Sequence, residues 1–566
     1  MKNTTAMKRP APAAVLLVAC AIAQPIFART RKAPHVADGA TAAAHDAAKG
    51  DALFEALLTE LDRSKAQLKM DQVQAPYYIE YRVNDVDEFN AEAAFGALRE
   101  SQRQHVRVIR VVVRIGDYKQ DSFYGQGVGA ASNLAIDDDA IALRRQLWLL
   151  TDEAYKSAAN AYAEKLSALK QFSVDPNAVD DFARAPVVIS VGPTAKLSVD
   201  EAAWNKTLQD ASNLYRAYPE VQSVSAMARF DSVNEYFVNS EGTIVRDGRT
   251  SATVALSGAT QAADGMRLNR APFWTEGSPE ELPAHDALLK EAKRMLETLK
   301  ALREAPIVEE SYRGPVLFAP DAADDIFAGL IGSNVLGHKP QLGRPNRTTG
   351  TFATSYKTRV LPKFVSVVDD PTIRQFQGKN LVGSYDVDDE GVKSQEVTLI
   401  GDGTLQNYLV GRQPIRDFPA SNGHGRGAPG TAPQAAIGTL ILKSSEPESP
   451  ADLKKQIMQM ATDEGKPYAY RVETLGPGNS PRLLYRVYAS DGHEELVRGA
   501  VFNELDLRAL RNDLIAVGND PLVSNRMGGV PQTIICPSLL FDELEVKRAD
   551  TSKEKLPEYP APDLRK

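Results

Sequence analysis

The sequence predicts an α+β fold: an N-terminal domain of mixed helices and strands, then a mainly antiparallel β domain with a few helices. Three observations carry this. Apolar residues at helical spacing alternate with two-residue alternation through the first half, Pro306 halts a long amphipathic helix, and beyond about residue 340 the texture turns to strands punctuated by turns.

The first packed helix opens at Asp51, where Phe54, Leu57, Leu58, Leu61 and Leu68 recur on one face of "DALFEALLTELDRSKAQLKM". Strands follow in "APYYIEYRVND", where Tyr78, Glu80 and Arg82 alternate with Ile79, Tyr81 and Val83, and in "QHVRVIRVVVRIGD" around Val106 and Val108. From Asp138 to about Lys170 the spacing is helical again, through Leu143, Leu147, Leu150 and Ala154. Asp200 is placed as the N-cap of a helix reaching about Tyr215, and "NSEG" is a turn between two strand-like runs. The helix "HDALLKEAKRMLETLKALRE" carries the stripe Leu288, Ala292, Met295, Leu296 and Leu299.

The second domain begins with the strand "GPVLFAP" and a helix in "DAADDIFAGLIGSNVLG", with Asp321 as N-cap and Ile326, Phe327, Leu330 and Ile331 toward the core. "KFVSVVDDP", the hairpin "EVTLIGDGTLQNYLV", "PRLLYRVYASDGHEELVRGAVF" and "LLFDELEVKR" are strands. One helix interrupts them, with Ser449 as N-cap, Pro450 at its first position and Gly465 just past its end.

Lys2, Lys8 and Arg9 precede the apolar run "PAAVLLVACAIA", the pattern of a secretory signal peptide. Cleavage after Ala23 fits the small-residue rule, with Ala28 as a second site; "LVAC" also fits cleavage before a lipid-modified Cys20. The run is too short to span a membrane. The organisation is therefore a signal peptide at 1–23, a flexible linker at 24–50, domains at 51–305 and 306–550, and a frayed tail at 551–566, in an exported protein, periplasmic or secreted. With Cys20 removed or lipidated, Cys536 has no cysteine to pair with. The 66 basic and 74 acidic residues, net −8, give no electrostatic case for a nucleic-acid partner.

"VVDDPT" (367–372), "GSYDVDDEGVKSQEVTLIGDGTLQNYLVGR" (383–412) and "SNGHGRG" (421–427), in that order, resemble the C-terminal domain of the TldD/PmbA family. "FVNSEGTIVRDGRTSATVALSGATQAADG" is similar to the end of its N-terminal domain, and "AVGNDPLVSNRMGGVPQTIICPSLLFDELEV" to its closing segment. The resemblance covers about residues 225 to 548; residues 51 to 220 match less clearly, as an exported branch would.

That family, named for modulation of DNA gyrase, is understood as zinc metalloproteases and their inactivated relatives. Its active members carry His-Glu-x-x-x-His at a helix end and a distant Cys as third ligand. Laid over that pattern, "SNVLGH" puts Ser333 at the first His, Asn334 at the catalytic Glu and His338 at the second His, while Val523 falls at the ligand Cys. Asn cannot serve as a general base, and one imidazole does not hold zinc. The resemblance thus implies a degenerate site with no catalytic residue and no cofactor, His338 being a remnant ligand.

For His338 the plain alternative is a helix-end histidine bonded to backbone. In the loop, Asn422, His424 and Arg426 are candidates for binding peptide, against simple turn chemistry. Asp369, Asp370, Asp388, Asp389 and Glu390 form two acidic clusters that could take a hard cation, or cap turns. Two functions remain. One is a non-catalytic subunit that binds extended peptide or a protein substrate and forms a homodimer, or a heterodimer with a family relative. The other is an active metallopeptidase with a non-standard zinc ligand set around His338, His424 and acidic residues.

Overall fold

The computed structural model describes residues 38–125, 127–172, 179–344 and 346–550. The expected signal peptide, the start of the linker and the tail from Thr551 lie outside them. Eight helices are described: α1 (Asp38–Ala48), α2 (Ala52–Gln67), α3 (Ala140–Leu169), α4 (Glu201–Asn213), α5 (His285–Glu304), α6 (Pro320–Leu330), α7 (Pro450–Asp463) and α8 (Leu507–Asn512).

Helix α1 corrects the reading of 24–50 as wholly flexible. Its sequence is rich in alanine, the best helix former, and Ala44 and Ala48 bury against the core beneath α2 and α3. Asp51 caps α2 by accepting the Phe54 N–H.

One sheet organises the first half. Strands β1 (Tyr78–Ala94), β2 (Ala97–Arg114), β3 (Ala130–Leu134), β4 (Ile189–Val191), β5 (Val221–Asn239) and β6 (Ile244–Gln261) lie in the order β3-β2-β1-β5-β6-β4. Strands β7 (Arg267–Arg270) and β8 (Phe273–Glu276) both pair with β6. Successive side chains alternate faces. Ile79, Tyr81 and Val83 of β1 pack with α2 and α3, and Phe89, Ala91 and Ala93 pack with α4 and α5.

The opposite face is the surprise. Glu80, Arg82 and Asn84 alternate as a solvent-facing row would, yet they are at most 5 % exposed. Loops of the second half cover them.

In the second half, α6 begins at Pro320 with Ala319 as N-cap, so Asp321 sits in the first turn and does not cap it. Ile326, Phe327 and Ile331 enter the largest core. Strand β9 (Tyr312–Phe318) lies in one sheet between the strands Leu539–Arg548 and Tyr468–Gly476; Leu539–Arg548 also pairs with Leu514–Gly518. Strand β10 (Val365–Asp369) lies in another, between Val397–Gly401 and Thr439–Ser444. The expected hairpin at Gly401 closes through Asp402 and Gly403, both at positive φ, which the twist of a two-residue hairpin favours. Helix α7 has the cap foreseen: the Ser449 side chain accepts the Asp452 N–H and Pro450 follows. The fold is α+β, and no described helix is long and apolar enough to cross a membrane.

Candidate functional site

Helix α6 ends at Leu330 and a single 3-10 turn, Gly332–Asn334, follows. His338 therefore stands beyond the helix, on an extended segment. Leu336 bridges Leu409 in parallel, and the Gly337 N–H donates to the Leu409 carbonyl at 2.8 Å. The buried Thr348 hydroxyl fixes the segment by accepting the His338 N–H at 2.9 Å and sharing its one hydrogen between the carbonyls of Leu336 and His338.

With the backbone so held, the His338 ring is left over. Among the described residues nothing hydrogen-bonds it, in contrast to the backbone-bonded histidine expected as the plain alternative. Burial pushes its pKa down, favouring the neutral imidazole. The ring lines a cavity of about 160 Å³ together with Gly337, Lys339, Glu390, Gln413 and Gln434.

Glu390 is the acid of this cavity. Its Oε2 accepts the Arg412 N–H. Gly411 and Gly425 press so close that a Cβ on either would meet Oε2 at 2.4 or 2.2 Å. Burial pushes its pKa up to about 7, against the pull of the Arg412 N–H and guanidinium. The Arg412 guanidinium itself points elsewhere, to both Glu241 carboxylate oxygens and the Ala183 carbonyl.

The other acidic residues act as loop fasteners. Asp388 accepts the N–H groups of Glu390, Val392 and Gly425. Asp370 accepts the Thr372 N–H at 3.0 Å. Asp369 accepts from Gly438 and Thr439 and meets His424 Nε2 at 3.1 Å.

This corrects the expectation for the loop 421–427. His424 is fully buried, with Nδ1 against the Asn422 carbonyl at 2.9 Å. Arg426 is 5 % exposed, bonded to Asp389 at 3.0 Å and stacked 4.0 Å over the Tyr385 ring. Asn422 spends its amide on Val410 and Tyr408. Asn422 and His424 spend their bonding groups inside the molecule, and Arg426 gives its Nε–H to Asp389.

The same loop bonds the two halves of the molecule. Arg82 of β1 donates to the carbonyls of Ala428 and Thr431 and lies 3.3 Å from Asp389. Burial would raise Asp389, but the guanidiniums of Arg426, Arg82 and Arg249 hold it below the usual carboxylate range. Burial, with the Asp389 charge beside it, pushes Glu235 up to about 7. Sequence reasoning missed Arg82 and Arg412 as site-forming residues, and had Glu390 only as one member of an acidic cluster. Arg82 carried a local signal, but a charge pattern shared with any solvent-facing strand.

A second cavity, about 590 Å³, lies on the helix-covered face of the N-terminal sheet, lined by residues at the start of α2, the segment 194–197 and charged residues of β1 and β2. Its charges are matched across the strands, Arg103 with Asp87 at 2.7 Å and Arg107 with Asp85 at 2.8 Å.

The positions laid over a zinc motif offer one hydroxyl, one carboxamide, one imidazole and one isopropyl group. Ser333 Oγ donates to the Gly329 carbonyl at 2.6 Å; Asn334 donates to the Leu330 carbonyl and accepts the Thr351 N–H, each at 2.8 Å. Val523 lies across from Ile535 in a strand pair. Zinc takes nitrogen, thiolate or carboxylate donors, and this set does not fit it.

Comparison with known proteins agrees with the fold. Residues 311–548 match the model of the PmbA/TldA metallopeptidase C-terminal domain. The chain is 22% identical over 328 residues to a metalloprotease of Methanocaldococcus jannaschii, covering 57% of this chain and 66% of that protein. It is 24% identical over 328 residues to a TldD homologue of Buchnera aphidicola, covering 56% and 62%. The chain thus spans less than two thirds of the length of these relatives. Among solved structures, a proposed modulator of DNA gyrase from Thermotoga maritima superposes with a TM-score of 0.58 at 18% identity, over 87% of this chain and 100% of that one. TldE from Thermococcus kodakarensis superposes at 0.57 and 13% identity, over 88% and 100%. The domain match and the named relatives place the class as that of metallopeptidase homologues. Over residues 311–548 the chain carries the C-terminal domain of the TldD/PmbA family.

Proposed function

We propose that this is an exported, non-catalytic member of the family that binds extended peptide at the His338 cavity and pairs with a second copy or a metal-bearing relative. One observation carries the reading: the side chains at the aligned ligand and base positions are engaged in local hydrogen bonds or apolar packing, and one imidazole remains. A ligand set joining His338 to His424 has no such support, because the His424 ring is buried and committed to Asp369 and Asn422. Extended peptides commonly bind by main-chain hydrogen bonds to an edge, with pockets for alternate side chains; a small pocket fits that mode. The structural likeness to TldE supports the pairing.

Elemental analysis of the purified mature protein tests the reading. It should find well under one zinc per chain, and a chelator should leave the thermal midpoint unchanged. Stoichiometric tight zinc would overturn it. The triple variant Ser333→His, Asn334→Glu, Val523→Cys should gain zinc affinity if the alignment is correct. For export, mass spectrometry should find a mature N-terminus at Gln24 or Arg29, or a lipid-modified Cys20; an intact Met1 start sinks it. Light scattering tests the pairing, and a monomer at all concentrations with no co-purifying relative argues against it.

A further inference from the structure

We infer that the cavity beside His338 is a receptor for a primary ammonium group, which Glu390 binds and around which the rest of the cavity selects. The inference rests on the peptide-binding reading and names what part of the peptide enters. Its basis is how the charges around the cavity are already used.

Lys339, at the mouth, is committed to Asp181 at 2.7 Å and to the Asp180 carbonyl. Arg412 turns its guanidinium to Glu241 and Ala183 and offers Glu390 only its backbone N–H. Arg114, whose charge is also felt at Glu390, is paired with Asp121. Among the described residues Glu390 makes no ion pair, although Asp389 and Glu241, in the same region, each pair with an arginine. The cavity thus carries one carboxyl lacking a cationic partner, and a neutral imidazole that can accept a hydrogen bond.

A carboxylate so placed attracts cations and repels a second acid, because attraction at close range strengthens as water is excluded. The cavity, about 160 Å³, accommodates a single chain end or side chain and no bulky group. An ammonium suits it: three donors in a compact head, one for the Glu390 carboxylate and one for the imidazole nitrogen of His338. Two sources share that chemistry, the α-amine at the start of a peptide and a lysine side chain within it.

The closing experiment measures binding of three labelled, unstructured peptides of one sequence to the full mature chain. The first has a free N-terminus and no lysine, the second is N-acetylated with one lysine, and the third is N-acetylated without lysine. The first, the second or both should bind about tenfold tighter than the third, the usual scale of a charge-assisted bond; which of them does so identifies the source. Glu390→Gln keeps an acceptor for the Arg412 N–H and should bring every ammonium-bearing peptide down to the level of the third. Should that buried substitution unfold the chain, Gln434→Lys at the exposed rim serves instead, and should weaken the ammonium-bearing peptides more than the third. Equal binding of all three peptides overturns the ammonium site while leaving peptide binding intact. Binding of none overturns both.

Discussion

The loop 421–427 and the segment 333–338 look alike in sequence, each a polar stretch with a glycine beside a histidine, and they end in opposite conditions. In the loop, His424 and Arg426 are buried, His424 bonded to Asp369 and Asn422 and Arg426 to Asp389. In the segment, the backbone is fixed by Thr348 and the His338 ring is left facing a cavity. A polar side chain in a glycine-rich loop is thus no guide to binding. What distinguishes a receptor from a fastener is whether its hydrogen-bonding groups are already satisfied.

The largest effect should come from the loop. Asp389→Ala strips the partner from two buried arginines, and unfolding in urea should show a loss of about 4 kcal/mol, or no stable fold. His424→Ala should follow with about 3 kcal/mol, since it leaves Asp369 buried with backbone donors alone. A loss under about 1 kcal/mol in either would break the comparison, because a loop kept for binding would tolerate the change.

Next comes a pH-dependent effect on the charge facing the loop. Glu235 sits near 7 in the folded protein, above the ordinary 4.5. Its ionisation therefore disfavours the fold progressively as pH rises from about 4.5 through 7. Glu235→Gln should match the parent at pH 4 and exceed it by about 2 kcal/mol at pH 8, read as a higher thermal midpoint. A constant difference across that window would mean that Glu235 does not titrate as described. The smallest effect belongs to the segment: His338→Ala should shift stability by no more than about 0.5 kcal/mol while reducing peptide capture.

Much of this was legible locally. The caps at Asp200 and Ser449, Pro450 at the start of α7, and the Asp402–Gly403 hairpin each depend on neighbours within a few residues. The far halves of β1 and β2 were not legible, because "VDEFNAEAAFGALRESQR" is polar and alanine-rich; it becomes strand where Phe89, Ala91 and Ala93 lie under α4 and α5. Packing overrode weak β propensity there. His338 could be found by resemblance, but its openness depends on Thr348 and Leu409. His424 and Arg426 misled because their partners, Asp369 and Asp389, lie 55 and 37 residues earlier, and no local pattern records that the loop turns inward.

The position of the strand Leu539–Arg548, between β9 and Leu514–Gly518, sets an order for synthesis. The N-terminal sheet has all its strands once Glu276 has left the ribosome. The sheet around β9 is missing a middle strand until almost the whole second half has been made. Until then β9 and Leu514–Gly518 stand as unpaired edges, open to pairing with other chains. A nascent chain therefore spends the interval with one half able to fold and the other waiting, and a product truncated before Leu539 would keep those edges permanently, a natural target for proteases and chaperones.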